Sequence, residues 1–219
     1  MAKDEQDIIS DLIGYLEYLK ESGISFLPSL KKRKCQVLEE VWRELRDCQR
    51  CKLHRSRSRI VFGEGNEDAK LMLIGEGPGY DEDLQGRPFV GKAGQLLTRI
   101  LQSVQIERKE VYITNIVKCR PPGNRTPEPD EIKSCFPFLL KQIQIIQPRV
   151  ICALGTVSAQ TLLQTDTKIT SLRGKSFEFL GIKVFPTYHP AFLLRNPDKK
   201  REVWEDIQKI AKALREGRE

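Results

Sequence analysis

Short apolar runs of strand type alternate with helical patterns along most of this chain. The runs carry little polar interruption, and the longer segments between them repeat apolar residues with the spacing of a helix. The predicted strands are residues 71–74, 111–114, 150–154 and 182–188, and the predicted helices are 93–104, 128–147, 157–163 and 199–214. This alternation is typical of an α/β protein. We predict a three-layer sandwich with a central, mostly parallel sheet flanked by helices.

Two further helical patterns precede the first predicted strand. Residues 4–21 carry one apolar stripe that stops before Gly23, and the polar, basic stretch through Lys34 is typical of a linker. A second apolar stripe over residues 37–45 leads directly to Cys48. We therefore predict an N-terminal helical extension and linker, residues 1–40, followed by one domain, residues 41–219.

Unusual residues follow each predicted strand. The sequence Gly-Glu-Gly-Pro-Gly at 75–79 follows the first strand, Asn115 the second, Gly155 the third and His189 the last. In open parallel sheets, ligands bind at the carboxyl ends of the strands. We expect these residues to meet at one edge of the sheet and to form a binding site there.

Several residues near this edge have more than one interpretation. The glycines at 75–79 allow backbone to approach a flat ligand, and the same loop brings a carboxylate, Glu76, to the edge. Glu82 follows in an acidic run. His189 is one of only two histidines, so it is either a structural residue or a functional one. Phe89 is either ordinary core or a platform on which a base stacks.

Residues 86–93, Gly-Arg-Pro-Phe-Val-Gly-Lys-Ala, come close to a nucleotide phosphate loop. Such a loop needs Ser or Thr at the position of Ala93 to hold magnesium, and alanine has no oxygen to offer. The segment also does not follow a strand directly. A nucleotide hydrolase is therefore the weaker interpretation.

Four of the six cysteines have the arrangement of a metal-ligand set. Cys48 and Cys51 are separated by two residues, whereas Cys119 and Cys135 are separated by fifteen. Four thiolates hold either a zinc ion or an iron-sulfur cluster. Two short pairs are usual for structural zinc, so the long second spacing favours a cluster. The other two cysteines are predicted to be small buried apolar residues.

The chain is basic, with a formal net charge of +7, which suggests an anionic partner. Many of its cations lie beside the four cysteines: Arg50, Lys52, Arg55, Arg57, Arg59, Lys118, Arg120 and Arg125. This placement is typical of a phosphate-binding surface. No apolar stretch is long enough to span a bilayer, and the N-terminus lacks a signal-peptide pattern. We expect a cytoplasmic monomer in a compartment that keeps thiols reduced.

Several motifs in the same order resemble those of the family 4 uracil-DNA glycosylases. They are residues 75–79, 86–91, 114–122 and 189–195, together with the four cysteines. The resemblance runs from about Cys48 to the last helix, so it covers the predicted domain 41–219. It implies an α/β sandwich, a 4Fe-4S cluster on Cys48, Cys51, Cys119 and Cys135, and excision of uracil from single- or double-stranded DNA in base excision repair.

A covalent-trapping relative of this family has an extra basic loop with a histidine after its PFVG-like segment. Here residues 91–94 lead directly into a predicted helix, so we do not expect the protein to crosslink itself to DNA.

The resemblance also suggests roles for residues at the edge of the sheet. We predict that Asn115 reads the uracil edge, that Phe89 stacks on the base and that His189 donates a hydrogen bond to uracil O2. Glu76, with Glu82 as the competing candidate, would position water or stabilise the sugar cation. The backbone of Gly77, Pro78 and Gly79 would line the base.

Contacts with the rest of the DNA are predicted from charge and from exposed apolar residues. The segment after the last predicted strand is expected to be an apolar loop, and its residues 192–194 would fill the space that the extruded base leaves, while cations would hold the phosphates. The predicted DNA contacts are Lys118, Arg120, Arg125, Phe192, Leu193 and Arg195. The alternative from another class is a non-catalytic nucleic-acid-binding module with a structural zinc ion on the same four cysteines.

Overall fold

The structure is a computed structural model that describes residues 33–216 together with Glu17 and Glu21. The chain divides into two compact units, Met1–Arg33 and Lys34–Glu219. The predicted helix at 4–21 and most of the predicted linker lie outside the described residues, except that Glu17 and Glu21 are helical. The predicted boundary near residue 40 stays a prediction.

The described residues contain one six-stranded sheet. Its strands are β1 (Glu64–Gly65), β2 (Leu71–Gly75), β3 (Tyr112–Asn115), β4 (Val150–Leu154), β5 (Phe177–Phe179) and β6 (Ile182–Thr187). The order across the sheet is β1-β3-β2-β4-β6-β5. The four central strands are parallel, and β1 and β5 pair antiparallel at the two edges. Gly75 pairs with Asn115 and Leu154 with Thr187, so the central strands end at one edge of the sheet.

Helices cover both faces of this sheet. They are α1 (Lys34–Leu45), α2 (Tyr80–Gln85), α3 (Lys92–Gln102), α4 (Pro129–Ile146), α5 (Thr156–Leu163), α6 (Ile169–Leu172), α7 (Pro190–Arg195) and α8 (Lys200–Glu216). One core packs α1, α4 and α5 against side chains such as Met72, and the other packs α3 and α8 against the alternate side chains, such as Leu73. Each central strand is therefore buried on both faces, which explains its continuous apolar pattern. The predicted three-layer α/β sandwich is confirmed.

The segment after β6 folds into a short helix where the sequence analysis expected a loop. Pro190 stands at the first helical position, where its missing N–H is not needed. The ring of His189 caps the helix by accepting a hydrogen bond from the backbone N–H of Ala191. The helix therefore begins at the residue after the histidine and fixes that ring at the edge of the sheet. Within 33–216, no helix is long and apolar enough to cross a membrane.

Candidate active site

A cavity of about 420 Å³ opens where the parallel strands end. Its lining includes most of the residues that the sequence analysis singled out for the site: Glu76, Gly77, Pro78, Gly79, Glu82, Phe89, Asn115, Arg125, His189, Phe192 and Arg195. Gly155 is not among these lining residues, and its lack of a side chain leaves room for His189. It has φ +93°, and a Cβ built on it would lie 3.0 Å from Cβ of His189, so a larger residue would displace the histidine.

Asn115 presents an unpaired amide oxygen at this cavity. The residue ends β3 and is only 1% exposed, and among the described residues its Oδ1 is the single buried side-chain polar atom that lacks a hydrogen-bond partner. Leaving such an atom unpaired costs about 1–3 kcal/mol. A Cβ on Gly75 would lie 2.4 Å from this oxygen and 2.7 Å from Cζ of Phe89. Glycine is therefore required for the asparagine and phenylalanine side chains to come this close to the backbone.

Phe89 is held in an uncommon conformation beside the cavity. Its φ is +52°, in the left-handed region, which costs roughly 1–2 kcal/mol for a residue with a side chain. A Cβ on Gly94 would lie 1.8 Å from the carbonyl oxygen of Phe89, so close packing of α3 against this turn depends on glycine. The aromatic ring lies 5.5 Å from the ring of His189, centroid to centroid, with 33° between the planes. The close packing around Phe89 and His189 therefore fixes the positions of both aromatic rings.

His189 is arranged to act as a neutral hydrogen-bond donor. Its Nδ1 accepts from the backbone N–H of Ala191 at 3.1 Å, so in the neutral ring the proton lies on Nε2. Burial, with a smaller contribution from the charge of Arg195, lowers the pKa of His189 to about 4. At neutral pH the ring is uncharged and carries an N–H that the helix cap does not use.

Two carboxylates line the cavity, and they differ in their partners. Oε1 of Glu82 accepts from the backbone N–H groups of Val90 and Gly91, both at 2.9 Å, and so secures the start of α3. Burial raises the pKa of Glu76, and a hydrogen bond with the side chain of Thr126 opposes this shift. One oxygen of Glu82 is therefore already used in structural hydrogen bonds, whereas the carboxylate of Glu76 accepts fewer hydrogen bonds from the protein.

Three of the predicted DNA-binding arginines lie at or near the cavity. Arg125 and Arg195 line it. Arg125 also pairs with the carboxylate of Glu131, with Nη2 2.7 Å from Oε1. The guanidinium of Arg120 lies 5.0 Å from the ring centroid of Tyr80, which is 56% exposed. Of the predicted apolar contacts, Phe192 lines the cavity, and its contact with DNA stays a prediction.

The structure corrects the prediction that Lys118 contacts DNA. The residue is 0% exposed, and its Nζ donates to Oγ1 of Thr114, to the backbone oxygen of Asn115 and to Oε1 of Gln142. Burial lowers the pKa of Lys118 to about 7. A side chain without exposed surface cannot bind a phosphate, so Lys118 belongs to the interior of the domain.

The structure also corrects the predicted contact of Leu193 with DNA. This side chain is 1% exposed and belongs to the core that also contains the buried side chains of α3 and α8. Because the segment is helical, the side chains at 193 and 194 point to different faces. Leu194 is 44% exposed, and it is the leucine of this helix that a nucleic acid can reach.

The four predicted ligand cysteines lie in one region of the core that includes α1 and α4. Cys119 and Cys135 are buried, and Cys48 and Cys51 are half-buried. None of the four forms a disulfide. Burial raises the pKa of Cys135 to about 12, and the charges of Cys119 and Cys51 add to this rise. Four thiols that repel one another's ionised forms need a cation or a metal centre before they can all ionise.

Hydrogen-bond donors already point at two of these sulfurs. Nη1 of Arg57 donates to Sγ of Cys119 at 3.3 Å and to the backbone oxygen of Cys48 at 2.8 Å. The backbone N–H of Lys118 donates to Sγ of Cys135 at 3.3 Å. Among residues 33–216 no three His, Cys, Asp or Glu side chains are grouped so that they could hold one metal ion. A four-iron cluster is larger than one ion, so its thiolate ligands stand further apart.

Three residues of these sites were not predicted individually. Thr126 bonds to Glu76, Tyr80 lies under Arg120, and Arg57 was counted only as one member of a basic run. Only the positions of Tyr80 and Thr126 in the sequence could have indicated them. Tyr80 follows the glycine-rich loop, and Thr126 follows Arg125, a predicted phosphate contact.

The sheet order and the cavity at its carboxyl edge define an α/β protein of a known class. Residues 62–208 match the family model described as the Uracil DNA glycosylase superfamily, and the chain belongs to that superfamily. Within it, the chain is 48% identical over 178 residues to the type-4 uracil-DNA glycosylase of Thermotoga maritima, covering 80% of this chain and 93% of the relative. The chain belongs to the type-4 family, and the resemblance drawn from its motifs is confirmed.

Archaeal relatives agree with this assignment. The type-4 uracil-DNA glycosylase of Archaeoglobus fulgidus is 42% identical over 183 residues, which cover 80% of this chain and 92% of the relative. That of Saccharolobus solfataricus is 48% identical over 180 residues, which cover 78% of this chain and 83% of the relative. The similarity therefore extends over nearly the full length of these proteins.

Proposed function

We propose that the protein excises uracil from single- or double-stranded DNA by extruding the nucleotide, hydrolysing its N-glycosidic bond and leaving an abasic site. Family membership supports the reaction class. The Oδ1 of Asn115 carries the substrate assignment, because it is a buried acceptor without a protein partner and a ligand with a donor would satisfy it. A base inside a duplex cannot reach such an atom, so the nucleotide has to leave the stack. A cavity of about 420 Å³ has the size of a small-ligand site.

Asn115 distinguishes uracil from cytosine by the direction of its hydrogen bonds. Oδ1 accepts from N3–H of uracil, and the amide NH₂ group donates to O4. Cytosine has an unprotonated N3 and an amino group in place of O4, so each pair would bring together two acceptors or two donors. A site built for specific hydrogen bonds rejects such a ligand strongly, because its buried groups are left unpaired.

Phe89 and His189 act on the base itself. The phenylalanine ring offers a flat surface on which the base can stack. Because this ring lies beside the histidine ring, the base can stack on Phe89 and accept a hydrogen bond from His189 at the same time. When the bond between C1′ and N1 breaks, its electron pair goes to the uracil. The Nε2–H of neutral His189 donates to O2, where this negative charge develops. The low pKa of His189 means that it stabilises the anion as a donor without first transferring a proton.

Glu76 acts on the water and on the sugar. Its ionised carboxylate would orient a water molecule and stabilise the positive charge that develops on the sugar. As the water oxygen bonds to C1′, Glu76 accepts the proton that the water loses. The raised pKa of Glu76 favours this role, because a stronger base takes the proton more readily. Glu82 serves the fold, since its Oε1 already accepts two backbone N–H groups.

The DNA backbone is held outside the cavity. Arg125 and Arg195 line its mouth, and with Arg120 they supply the positive charge for the phosphates. Phe192 and the exposed Leu194 provide the apolar surface that replaces the extruded base in the stack. Leu193, which the sequence analysis included in this wedge, supports the helix from inside.

Cys48, Cys51, Cys119 and Cys135 would hold a 4Fe-4S cluster. The donor set fits this group, because four thiols lie together and N–H groups of Arg57 and Lys118 point at two of the sulfurs. When bound, the cluster supplies a covalent link between three distant segments of the chain. Its ligands must stay reduced, so we place the protein in the cytoplasm, where we propose that it acts as a monomer.

The test is excision from oligonucleotides that differ in one base. Iron-loaded protein is incubated with single- and double-stranded DNA that carries uracil, thymine, cytosine or hypoxanthine, and abasic sites are detected by alkaline strand cleavage. We expect cleavage at uracil. The matched variant Asn115→Asp keeps the side-chain shape but loses the donor to O4, and it should lose the preference for uracil over cytosine. A wild-type protein that leaves uracil intact in both forms of DNA would refute the proposed function.

A further inference from the structure

Lys118 connects the base-reading residue to the cysteine region. Its Nζ donates to the backbone oxygen of Asn115 at 2.8 Å, whereas its own backbone N–H donates to Sγ of Cys135 at 3.3 Å. The next residue in the chain is Cys119. One fully buried residue therefore touches both sites, although a lysine is among the residues that are seldom buried completely.

The partners of Lys118 are fixed in their turn. Its Nζ also donates to Oε1 of Gln142 at 2.7 Å, and the Nε2 of this glutamine donates to the backbone oxygen of Phe62 at 2.9 Å and to the Tyr112 hydroxyl at 3.2 Å. The glutamine amide thus has partners on both sides and cannot turn away. Gln142 and Cys135 lie seven residues apart on α4, which places them on the same face of that helix. Lys118 is therefore joined to α4 at two points, two turns apart.

The hydrogen-bond acceptors of the Lys118 Nζ are all neutral oxygen atoms, and they lie on two elements of the fold. Thr114 and Asn115 belong to the end of β3, and Gln142 belongs to α4. The lysine side chain therefore connects the end of β3 to α4.

We propose that Lys118 is a positioning residue that couples the cysteine region to base recognition by bracing the backbone of Asn115 against α4, the helix that carries Cys135. This inference rests on the proposed function of Asn115. A base-reading amide must be held within a fraction of an ångström to keep its hydrogen bonds. Lys118 supplies that restraint from behind, without touching the substrate.

The test uses two variants that weaken the brace at its two ends. Lys118→Met removes the hydrogen bonds of Nζ but keeps an unbranched side chain, and Gln142→Leu removes one of the acceptors but keeps the lysine. The full-length, iron-loaded proteins are compared in kcat and KM for uracil excision and in iron content. Hydrogen exchange at the backbone amides of Ile116 and Val117, which donate to the backbone oxygens of Gly75 and Glu76, reports on the backbone after Asn115 independently of activity.

We expect Lys118→Met to lower kcat about tenfold, the loss expected for the hydrogen bonds of one buried group, with KM within about twofold. Hydrogen exchange at Ile116 and Val117 should become faster, because the backbone beside Asn115 has lost a restraint. Gln142→Leu should change kcat and exchange in the same direction by a smaller factor, since two acceptors of Nζ remain. Both variants should keep their iron, because the four cysteines are unchanged.

Two results would overturn the inference. One is a Lys118→Met protein with the wild-type kcat or with wild-type hydrogen exchange at Ile116 and Val117. The other is a Gln142→Leu protein with unchanged kcat, and this variant decides alone if Lys118→Met does not fold. A rise in KM without a fall in kcat counts against it too, since that is the sign of lost DNA binding. If the wild-type protein itself excises no uracil, the proposed function fails instead, and the exchange rates still report on the restraint that Lys118 provides.

Discussion

The base cavity and the cysteine region are built from neighbouring parts of the chain in opposite ways. The cavity takes its chemistry from residues at the ends of strands and leaves one buried oxygen, on Asn115, without a partner. The cysteine region joins segments from a loop, a turn and a helix, and its sulfurs already receive hydrogen bonds from Arg57 and Lys118. Where the sheet provides rigidity, the chain can leave a polar group ready for a ligand. Where no shared element provides it, side chains and a cofactor must hold the segments together.

The largest effect in this comparison is expected from Cys119→Ser. A serine oxygen is a poor ligand for iron compared with a thiolate, so the protein should lose its visible absorption. It should also lose several kcal/mol of folding free energy, since metal binding contributes directly to folding. Thermal unfolding and iron content measure both losses. Cys152→Ala is the matched control, because this thiol is buried in β4, outside the ligand set, and the variant should keep its iron.

The next largest effect is expected at the cavity, from His189→Ala. Removing a donor that stabilises the leaving anion should slow single-turnover excision about 100-fold. The control is His54→Ala, since His54 is the other histidine of the chain and its Nδ1 lies 2.8 Å from the backbone oxygen of Cys51, in the cysteine region. Its rate should stay within about twofold of wild type. Equal excision rates for the two variants would mean that the histidine at the edge of the sheet is no more important for catalysis than the histidine in the cysteine region.

The two regions also differed in how well the sequence predicted them. The strands that position the cavity are buried on both faces, so each gave a continuous apolar run, and the residues after them followed from the topology. The edge strands β1 and β5, with two and three residues, are too short for a periodic signal. The burial of Lys118 had no local signal, because it depends on Gln142, which lies 24 positions away in the sequence. Leu193 was misassigned because a six-residue helix was interpreted as a loop.

A comparable effect should separate the two carboxylates of the cavity. Glu76→Gln should slow excision about 100-fold, because the amide cannot accept a proton from water, while its melting temperature stays near that of wild type. Glu82→Gln should lower stability by about 1 kcal/mol, because its hydrogen bonds from Val90 and Gly91 lose their ionic character. Single-turnover rates and thermal melts of the two variants provide the comparison. If instead Glu82→Gln excises uracil more slowly than Glu76→Gln and keeps the wild-type stability, then Glu82 is the catalytic carboxylate and Glu76 is the structural one.

The smallest effect is expected from pH near 6.5, where an ordinary histidine titrates. Because the pKa of His189 is lowered to about 4, the ring stays neutral and the rate should show no step at pH 6.5. The rate should fall in a more acid range as Glu76 is protonated, at a pH above the ordinary glutamate value because burial raises its pKa, and Glu76→Gln should lose this limb.

Stability should behave differently from rate over the same range. Between pH 6.5 and about 4 the unfolded chain binds a proton at position 189 that the folded protein does not, so the free energy of unfolding falls as the pH falls through this window. In His189→Ala that part of the slope should be absent, as denaturant melts at several pH values would show. A step in the rate at pH 6.5 that persists in Glu76→Gln would mean that the ring of His189 titrates like an exposed histidine in the working enzyme, and the neutral donor at the cavity would have to be abandoned.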